Sequence, residues 1–460
     1  MARDAFDERY FDGIDAEDTT PQAVPPVMGG VVAAPRGPLA LKGCVITPSK
    51  RIDDGYVTIE DDRITSVTKK KPEPGVDVVD TGGVILPGLI DLHGHPEFNV
   101  FAPWEPPRLF ENRHKWRDSK EYEKVVKIPW KALAGTDPGP SLLPTLTRYA
   151  EARALVGGTT AIQGASAKYP DPTESLVRNV DRKLFGAHKA RSAIDFDRES
   201  PSTRKLRRKQ IADGDVVAYY LHLAEGVDQK SRDEFDEVVD ASLLTPATVI
   251  IHGTALTEAQ LGDVRDAGAK LVWSPQSNLR LYAKTTDAAR ALALKIPVAL
   301  GADWQPSGSP SLLAEMKIAR RALAEAGLEI SARDLVEMVT TVAAGISGLA
   351  DHIGSLAEDR MADVVVLERL HEDPWESVAL SYPGDVRMVV VGGDVAYFSP
   401  DLVPADVVPR AGLEEVSAWG RPMLLDTSYS VRAGPNPPPR LADLRAALLA
   451  RDLRVGPIFA

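Results

Sequence analysis

The chain has 460 residues, 44% of them hydrophobic, and a formal net charge of −12. That length suits one large catalytic body with a smaller satellite, and the apolar share can fill a sizeable core. The acidic balance argues against a nucleic-acid partner, which needs clustered Lys and Arg, and has the wrong sign for an anionic membrane surface. A single cysteine, Cys44, excludes an intramolecular disulfide and fits a reducing cytoplasm. The opening MARDAFDERYFDG has neither the basic nor the apolar region of a signal peptide, and no run reaches the roughly 20 apolar residues of a membrane span. The expectation is a cytoplasmic protein whose partner is a small-molecule substrate.

Residues 1–38 are acidic and proline-rich and read as a flexible arm. LKGCVITPSKRID, GYVTIEDDRITSVTKK and VDVVDTGGVILPG then read as short strands of an antiparallel sheet. ADVVVLE, VRMVVVGG and DVAYFSP repeat that pattern late in the chain, so 39–85 and 355–400 are expected to form one small β domain. Between them, 86–354 alternates strand and helix. Strands are expected to end near Gln163 and Ser274, and at His222, His252 and Asp303. TEAQLGDVRDAG reads as a helix capped by Thr257 and stopped at Gly268, and TTDAARALALK as another. A further helix is expected to start at Ser309-Pro310, with Leu312, Met316, Ala319 and Leu323 on one face. This alternation predicts an α/β fold with parallel strands, favouring an eight-stranded (β/α)8 barrel; no GxGxxG supports the open doubly wound alternative.

Two segments resist the pattern. Residues 96–140 form a tryptophan-bearing insertion, and 185–213 carry the basic run RKLRRK, which reads as solvated surface. The extension 401–460 holds a stiff GPNPPPR linker and then LADLRAALLARDL. The Leu441, Leu444 and Leu448 stripe of that last segment must dock on its own body or on a partner, and arms at both ends suit a homodimer.

Four of the eight histidines sit at expected strand ends: His93, His95, His222 and His252. Asp303 sits at another. In a parallel barrel those ends converge on one face. His93 and His95 are two apart, so a pleated strand would point both imidazoles the same way, and the glycine between them would leave room for an ion. His222 and Asp303 complete a nitrogen and oxygen set that suits zinc, with iron or manganese as alternatives. Glu225, three residues after His222, is placed to carry a proton from water to a leaving nitrogen, and His252 to donate a hydrogen bond to a developing charge. A lone HxH is weak evidence; the joint order at successive strand ends carries the reading. His114, His188, His352 and His371 fit no such pattern. His95-Pro96-Glu97 matches the HxE of cytidine-type zinc deaminases, but one cysteine rules out their PCxxC. HExxH, Walker A and GxSxG motifs are absent.

These residues resemble the amidohydrolase superfamily across most of 40–400. VILPGLIDLHGH is similar to its first-strand signature, and YYLHLAEG to the HxxE segment of the aminohydrolase and deaminase branch, which includes guanine, adenosylhomocysteine and triazine hydrolases. IHGTAL, WSPQSNLRLY and VALGADWQPSGSPSLLAEMKIA resemble the next blocks, and GSLAEDRMADVVVLE the return to the β domain. The resemblance implies a distorted barrel with a composite β-sandwich. It also implies one divalent metal on His93, His95, His222 and Asp303, with Glu225 shuttling protons and His252 polarising the substrate. Two-metal relatives use a carboxylated lysine on the fourth strand; GGTTAIQGAS, taken as that strand, has Gln163 instead, which favours one metal. Gln163, Trp104, Asn278 and Trp304 are candidate substrate contacts. Trp104, Trp116 and Trp130, with Arg108 and Arg113, form loop-core packing, a subunit contact, or a lid over a flat or aromatic substrate. Asn278 and Arg280 either reach the pocket or bond locally.

The expected function is hydrolytic deamination of an amino-substituted heterocycle. Cyclic or linear amide hydrolysis by the same site is the alternative, and a non-catalytic binding protein a minor one.

Overall fold

The computed structural model describes residues 37–135, 139–164, 175–182, 184–185, 190–403, 413–427 and 440–459. Most of the 1–38 arm, the GPNPPP run and His188 lie outside these residues.

The apolar, β-branched runs at both ends of the chain meet in one nine-stranded sheet. β1 (Leu39–Ile46), β2 (Arg51–Glu60), β3 (Arg63–Thr68) and β4 (Asp77–Pro87) come from the first run. The late set is β13 (Val364–Leu367), β14 (Val386–Val391), β15 (Asp394–Phe398), β16 (Leu413–Ala418) and β17 (Arg421–Asp426). The order is β16-β17-β15-β14-β13-β4-β1-β2-β3, joined where β4 pairs antiparallel with β13. The expected β-sandwich is therefore one hydrogen-bonded sheet that rolls over. Ile52, Val57 and Ile64 share a core with Val395, Phe398 and Leu424 from its far half. The sheet also runs past residue 400, because β16 and β17 continue it.

Among the described residues, eight strands lie between these halves: β5 (Leu89–Asp91), β6 (Thr159–Ile162), β7 (Arg178–Asn179), β8 (Ala190–Ala193), β9 (Ala218–Leu223), β10 (Thr248–His252), β11 (Lys270–Trp273) and β12 (Val298–Leu300). Each ladder among them is parallel, in runs β5-β6-β7 and β8-β9-β10-β11-β12. Side chains bridge the first seam: the Ser192 hydroxyl donates to Asp181 at 2.7 Å. At the second seam the Asp303 N–H donates to the His93 carbonyl at 2.6 Å, and the Ala302 N–H to the Asp91 carboxylate at 3.2 Å. One apolar cluster takes Ile90, Ala161, Ala190, Tyr220, Val249, Val272 and Ala299 from strands around the ring, with Val180 just after β7. That shared interior makes the set a (β/α)8 barrel.

Several local expectations change. Gln163 follows β6, the second barrel strand, not the fourth. The fourth is β8, ARSA, which also lacks lysine. The two short strands after β6 had no periodicity to show them. The helix expected at Ser309-Pro310 begins two residues later, at Leu312, because the Ser311 side chain caps it. Thr257 caps its helix through a full capping box with Gln260, and Gly268 takes a positive φ of 68°. The basic run lies in a helix, Pro201–Ala212, started by Ser200 and proline; Arg207 is buried while most of its face is exposed.

The terminal helix Leu441–Arg451 docks on the chain's own body. It packs on the helix Leu143–Val156, and Arg451 donates to the Ala132 carbonyl at 3.1 Å. Leu448 is fully buried. Leu448→Ala is expected to cost about 2–5 kcal/mol, the usual penalty of a core cavity. Denaturant unfolding would check this, and a loss near zero would mean that the helix is not docked.

Candidate active site

The strand ends on one face of the barrel carry the polar cluster. His93 Nε2 lies 3.0 Å from His95 Nε2 and 3.0 Å from His222 Nε2, and the last two are 3.1 Å apart. Asp303 Oδ1 is 3.3 Å from His93 Nε2 and 4.0 Å from His95 Nε2. Two overlapping triads, His93–His95–His222 and His93–His252–Asp303, are compact enough to hold a cation.

The path to this convergence differs from a pleated strand. β5 ends at Asp91, so His93 and His95 both lie beyond it. His95 has φ +37°, and Ala224, His252 and Asp303 also have positive φ. These left-handed residues, costly without glycine, turn the chain inward just past the strands. Gly94 makes no room for an ion. A Cβ there would lie 2.4 Å from Ile162 Cδ1, so its role is close packing on β6. Asp91 lies beneath, accepting the His93 and Ala302 N–H groups; burial pushes its pKa to about 7.

Burial holds the three imidazoles in the neutral form. It pushes His93 and His222 well below the usual histidine value, with neighbouring imidazoles adding to the shift, and His95 to about 4. Neutral rings present lone pairs. His93 Nδ1 is 2.9 Å from the Ser274 hydroxyl; if that nitrogen carries the proton, Nε2 is left free as a ligand atom. Burial raises Asp303 well above the carboxylate range, a penalty that a nearby cation would reverse. Three converging imidazole nitrogens and a carboxylate suit a divalent metal.

Glu225 and His252 face the same space, with Glu225 Oε2 3.6 Å from His252 Nε2. Burial works against the Glu225 charge, but His252, Arg113 and the Tyr282 hydroxyl together hold its pKa below the usual range. Burial also keeps His252 low and neutral. Asn278 Nδ2 lies 3.0 Å from His252 Nδ1 and donates to it, which places the ring proton on Nε2, toward Glu225.

A cavity of about 60 Å³ opens beside the cluster, walled by Phe98, Trp116, Tyr122 and Trp304 with Arg113 and Arg117. Trp304 thus reaches the cavity. Trp104 packs behind it on Phe110 and Tyr122, and Gln163 bonds to Asp181 and Ser192 away from it. Asn278 touches His252, while Arg280 donates to the Pro306 carbonyl at 3.2 Å. Trp130 stacks on Phe98, and Arg108 lies over Phe110. His114 is 3.6 Å from Glu234, His352 stacks on Phe185, and His371 accepts the Asp373 N–H.

Sequence patterns missed Tyr282, whose hydroxyl donates to Glu225 Oε1 at 2.6 Å. One signal was available: Asn278 and Tyr282 are four apart on the helix Pro275–Tyr282 and share a face. Tyr122 and Arg117 had no signal, because they come from the aperiodic insertion.

Arg113 anchors that insertion. Its guanidinium meets Asp195 at 3.1 Å and Glu234 at 2.7 Å, all three buried. Burial opposes its charge, but the two acids outweigh it. Arg113→Met takes the guanidinium from the buried Glu234, while Asp195 keeps Arg117 at 3.0 Å. The expected loss is about 3 kcal/mol or more, read by denaturant melts at pH 7; less than 1 kcal/mol would contradict it.

Residues 217–396 match the amidohydrolase family model. The chain is 25% identical over 410 residues to a 5′-deoxyadenosine deaminase of Methanopyrus kandleri, covering 80% of this chain and 95% of that protein. It is 27% identical over 391 residues to a 5-methylthioadenosine/S-adenosylhomocysteine deaminase of Pyrococcus abyssi, covering 76% and 91%. In fold it is similar to a zinc-bound adenosine deaminase of Xanthomonas campestris, with TM-score 0.63, 18% identity and 80% and 94% of the two chains covered. The barrel and its strand-end cluster thus lie in a chain that is similar to amidohydrolase-family deaminases, with the family model matching the second half of the barrel and beyond.

Proposed function

We propose that this protein is a metal-dependent hydrolase that removes the amino group of a flat, amino-substituted heterocycle. The observation that carries the reading is the juxtaposition of three converging imidazole Nε2 atoms and Asp303 with the facing Glu225–His252 pair. The deaminase relatives and the zinc-bound neighbour support the same class and metal.

His93, His95, His222 and Asp303 would hold one divalent metal, most simply zinc. When bound, such a metal supplies a Lewis acid that brings the pKa of water toward neutrality. The protein's own groups do the rest. Glu225, held ionised, accepts the proton of the attacking water and returns it to the departing amino nitrogen, so that ammonia leaves as the C–N bond breaks. His252, with its proton on Nε2, donates to the position where charge builds. Asn278 maintains that tautomer. The aromatic wall of Phe98, Trp116, Tyr122 and Trp304 offers flat faces to a ring and keeps bulk water out.

One metal per chain is expected by elemental analysis, and chelation should abolish turnover until zinc is restored. Two metals would remove the single-metal assignment. Glu225→Gln should retain the metal yet lose about 10²–10⁴-fold in kcat; near-normal activity would take Glu225 out of the mechanism. Ammonia release, assayed across amino-heterocycles, decides the reaction. Turnover without ammonia would favour amide hydrolysis.

A further inference from the structure

We propose that Tyr282 is a positioning residue that assigns separate tasks to the two oxygens of Glu225, and that Trp116 sets Tyr282 from the cavity wall. The proposal rests on the reading of Glu225 as the proton carrier. Its geometry is a chain of two buried hydrogen bonds. The Trp116 indole N–H donates to the Tyr282 hydroxyl at 2.8 Å, and that hydroxyl donates to Glu225 Oε1 at 2.6 Å. Trp116, Tyr282 and Glu225 are each less than a tenth exposed.

The direction of the chain is forced. An indole N–H can only donate, and a phenol has one proton. With the indole donating to the hydroxyl oxygen, that proton has one remaining acceptor, Glu225 Oε1. This leaves Oε2, the oxygen 3.6 Å from His252 Nε2, as the one that exchanges a proton. In the step, a water O–H bond breaks and its proton goes to Oε2, then to the departing nitrogen. Tyr282 keeps its own proton throughout. A freely rotating carboxylate would divide its time between two oxygens and several rotamers, and the short bond to Oε1 removes that freedom.

The link to Trp116 joins this arrangement to the wall of the cavity. Trp116 lines the cavity and lies 5.4 Å from Trp304, centroid to centroid. Its segment is tied to the Glu225 loop by backbone bonds: the Arg113 N–H donates to the Glu225 carbonyl at 3.2 Å, and the Val227 N–H to the Glu111 carbonyl at 2.7 Å. The contact is close enough that a Cβ on Gly226 would lie 2.5 Å from the Glu111 oxygen. The Phe110 N–H likewise donates to the Leu281 carbonyl at 2.9 Å, beside Tyr282. A substrate ring that presses Trp116 into place therefore also locks the carboxylate that serves it.

The test is a double-mutant cycle in kcat on the zinc-loaded enzyme, with Tyr282→Phe, which deletes only the hydroxyl, and Trp116→Phe, which deletes the indole N–H and also trims the cavity wall, an effect read in KM. Tyr282→Phe is expected to lower kcat by about 10- to 100-fold, the scale of one hydrogen bond to a charged group, with KM changing less than about threefold. Trp116→Phe should cost less. The double variant should match Tyr282→Phe within about twofold, because without the hydroxyl the indole has nothing to orient. Losses that multiply, or that fall on KM alone, would overturn the proposal. A second readout needs no turnover. The ¹⁵N–¹H indole resonance of Trp116, identified by its loss in Trp116→Phe, should shift in Tyr282→Phe and also in Glu225→Gln, which weakens the far acceptor. A resonance unmoved in both variants would refute the chain. A shifted resonance in an enzyme that releases no ammonia would instead retain the chain and remove the deaminase reading.

Discussion

The structure depends on one electrostatic constraint: three neutral imidazoles, sunk in the mouth of a barrel, bring their Nε2 atoms to one point. Burial denies them protons, and a protonated ring would face two others across 3.0 Å. Such a cluster can persist only where the backbone imposes it. Asp91 holds the ends of β5 and β12 together through the Ala302 N–H while also accepting the His93 N–H, and left-handed residues bend the chain inward at His95, Ala224, His252 and Asp303. The local strain is held by eight strands sharing one interior. The stability of the barrel is thus spent on keeping imidazole nitrogens and a carboxylate together, an arrangement that a divalent cation would relieve.

Around that point the polar groups divide into two sets. On one side stand the proposed ligands. On the other, Glu225 is kept ionised and His252 neutral by different neighbours. Arg113 and the Tyr282 hydroxyl favour the Glu225 charge, while burial favours a neutral His252 and Asn278 chooses its tautomer. The first βα insertion contributes to both the electrostatics and the cavity wall, because Arg113 and Trp116 lie within four residues of each other. Its place is secured by the buried Asp195 and Glu234 carboxylates and by backbone pairing to the Glu225 loop. The C-terminal helix and the residues after it close over the same region, through Arg451 on the Ala132 carbonyl and Arg454 on the Lys124 carbonyl.

The sequence by itself determined the class of fold and the polar residues of the cluster. Strand–helix alternation is a period that the chain writes locally, and capping residues such as Thr257 act within one turn. His93, His95, His222, Glu225, His252 and Asp303 could be singled out because each follows a recognisable strand, and a parallel barrel brings all such ends to one face. Tertiary structure decided what spacing cannot encode. Period two would have aligned His93 and His95 on a strand, yet both lie past its end, and a left-handed turn at His95 brings them together. Gly94 serves the packing of β5 on β6, because the neighbour that needs its missing side chain, Ile162, is about 70 residues away in sequence. The two short strands after β6 carry too few residues for a pattern, which moved Gln163 from the second strand to the fourth in the linear reading. The cavity wall and the Trp116–Tyr282–Glu225 chain join an aperiodic loop, a helix and a strand end. Contacts of that kind are set by where distant segments pack, and only the folded chain brings them within hydrogen-bond reach.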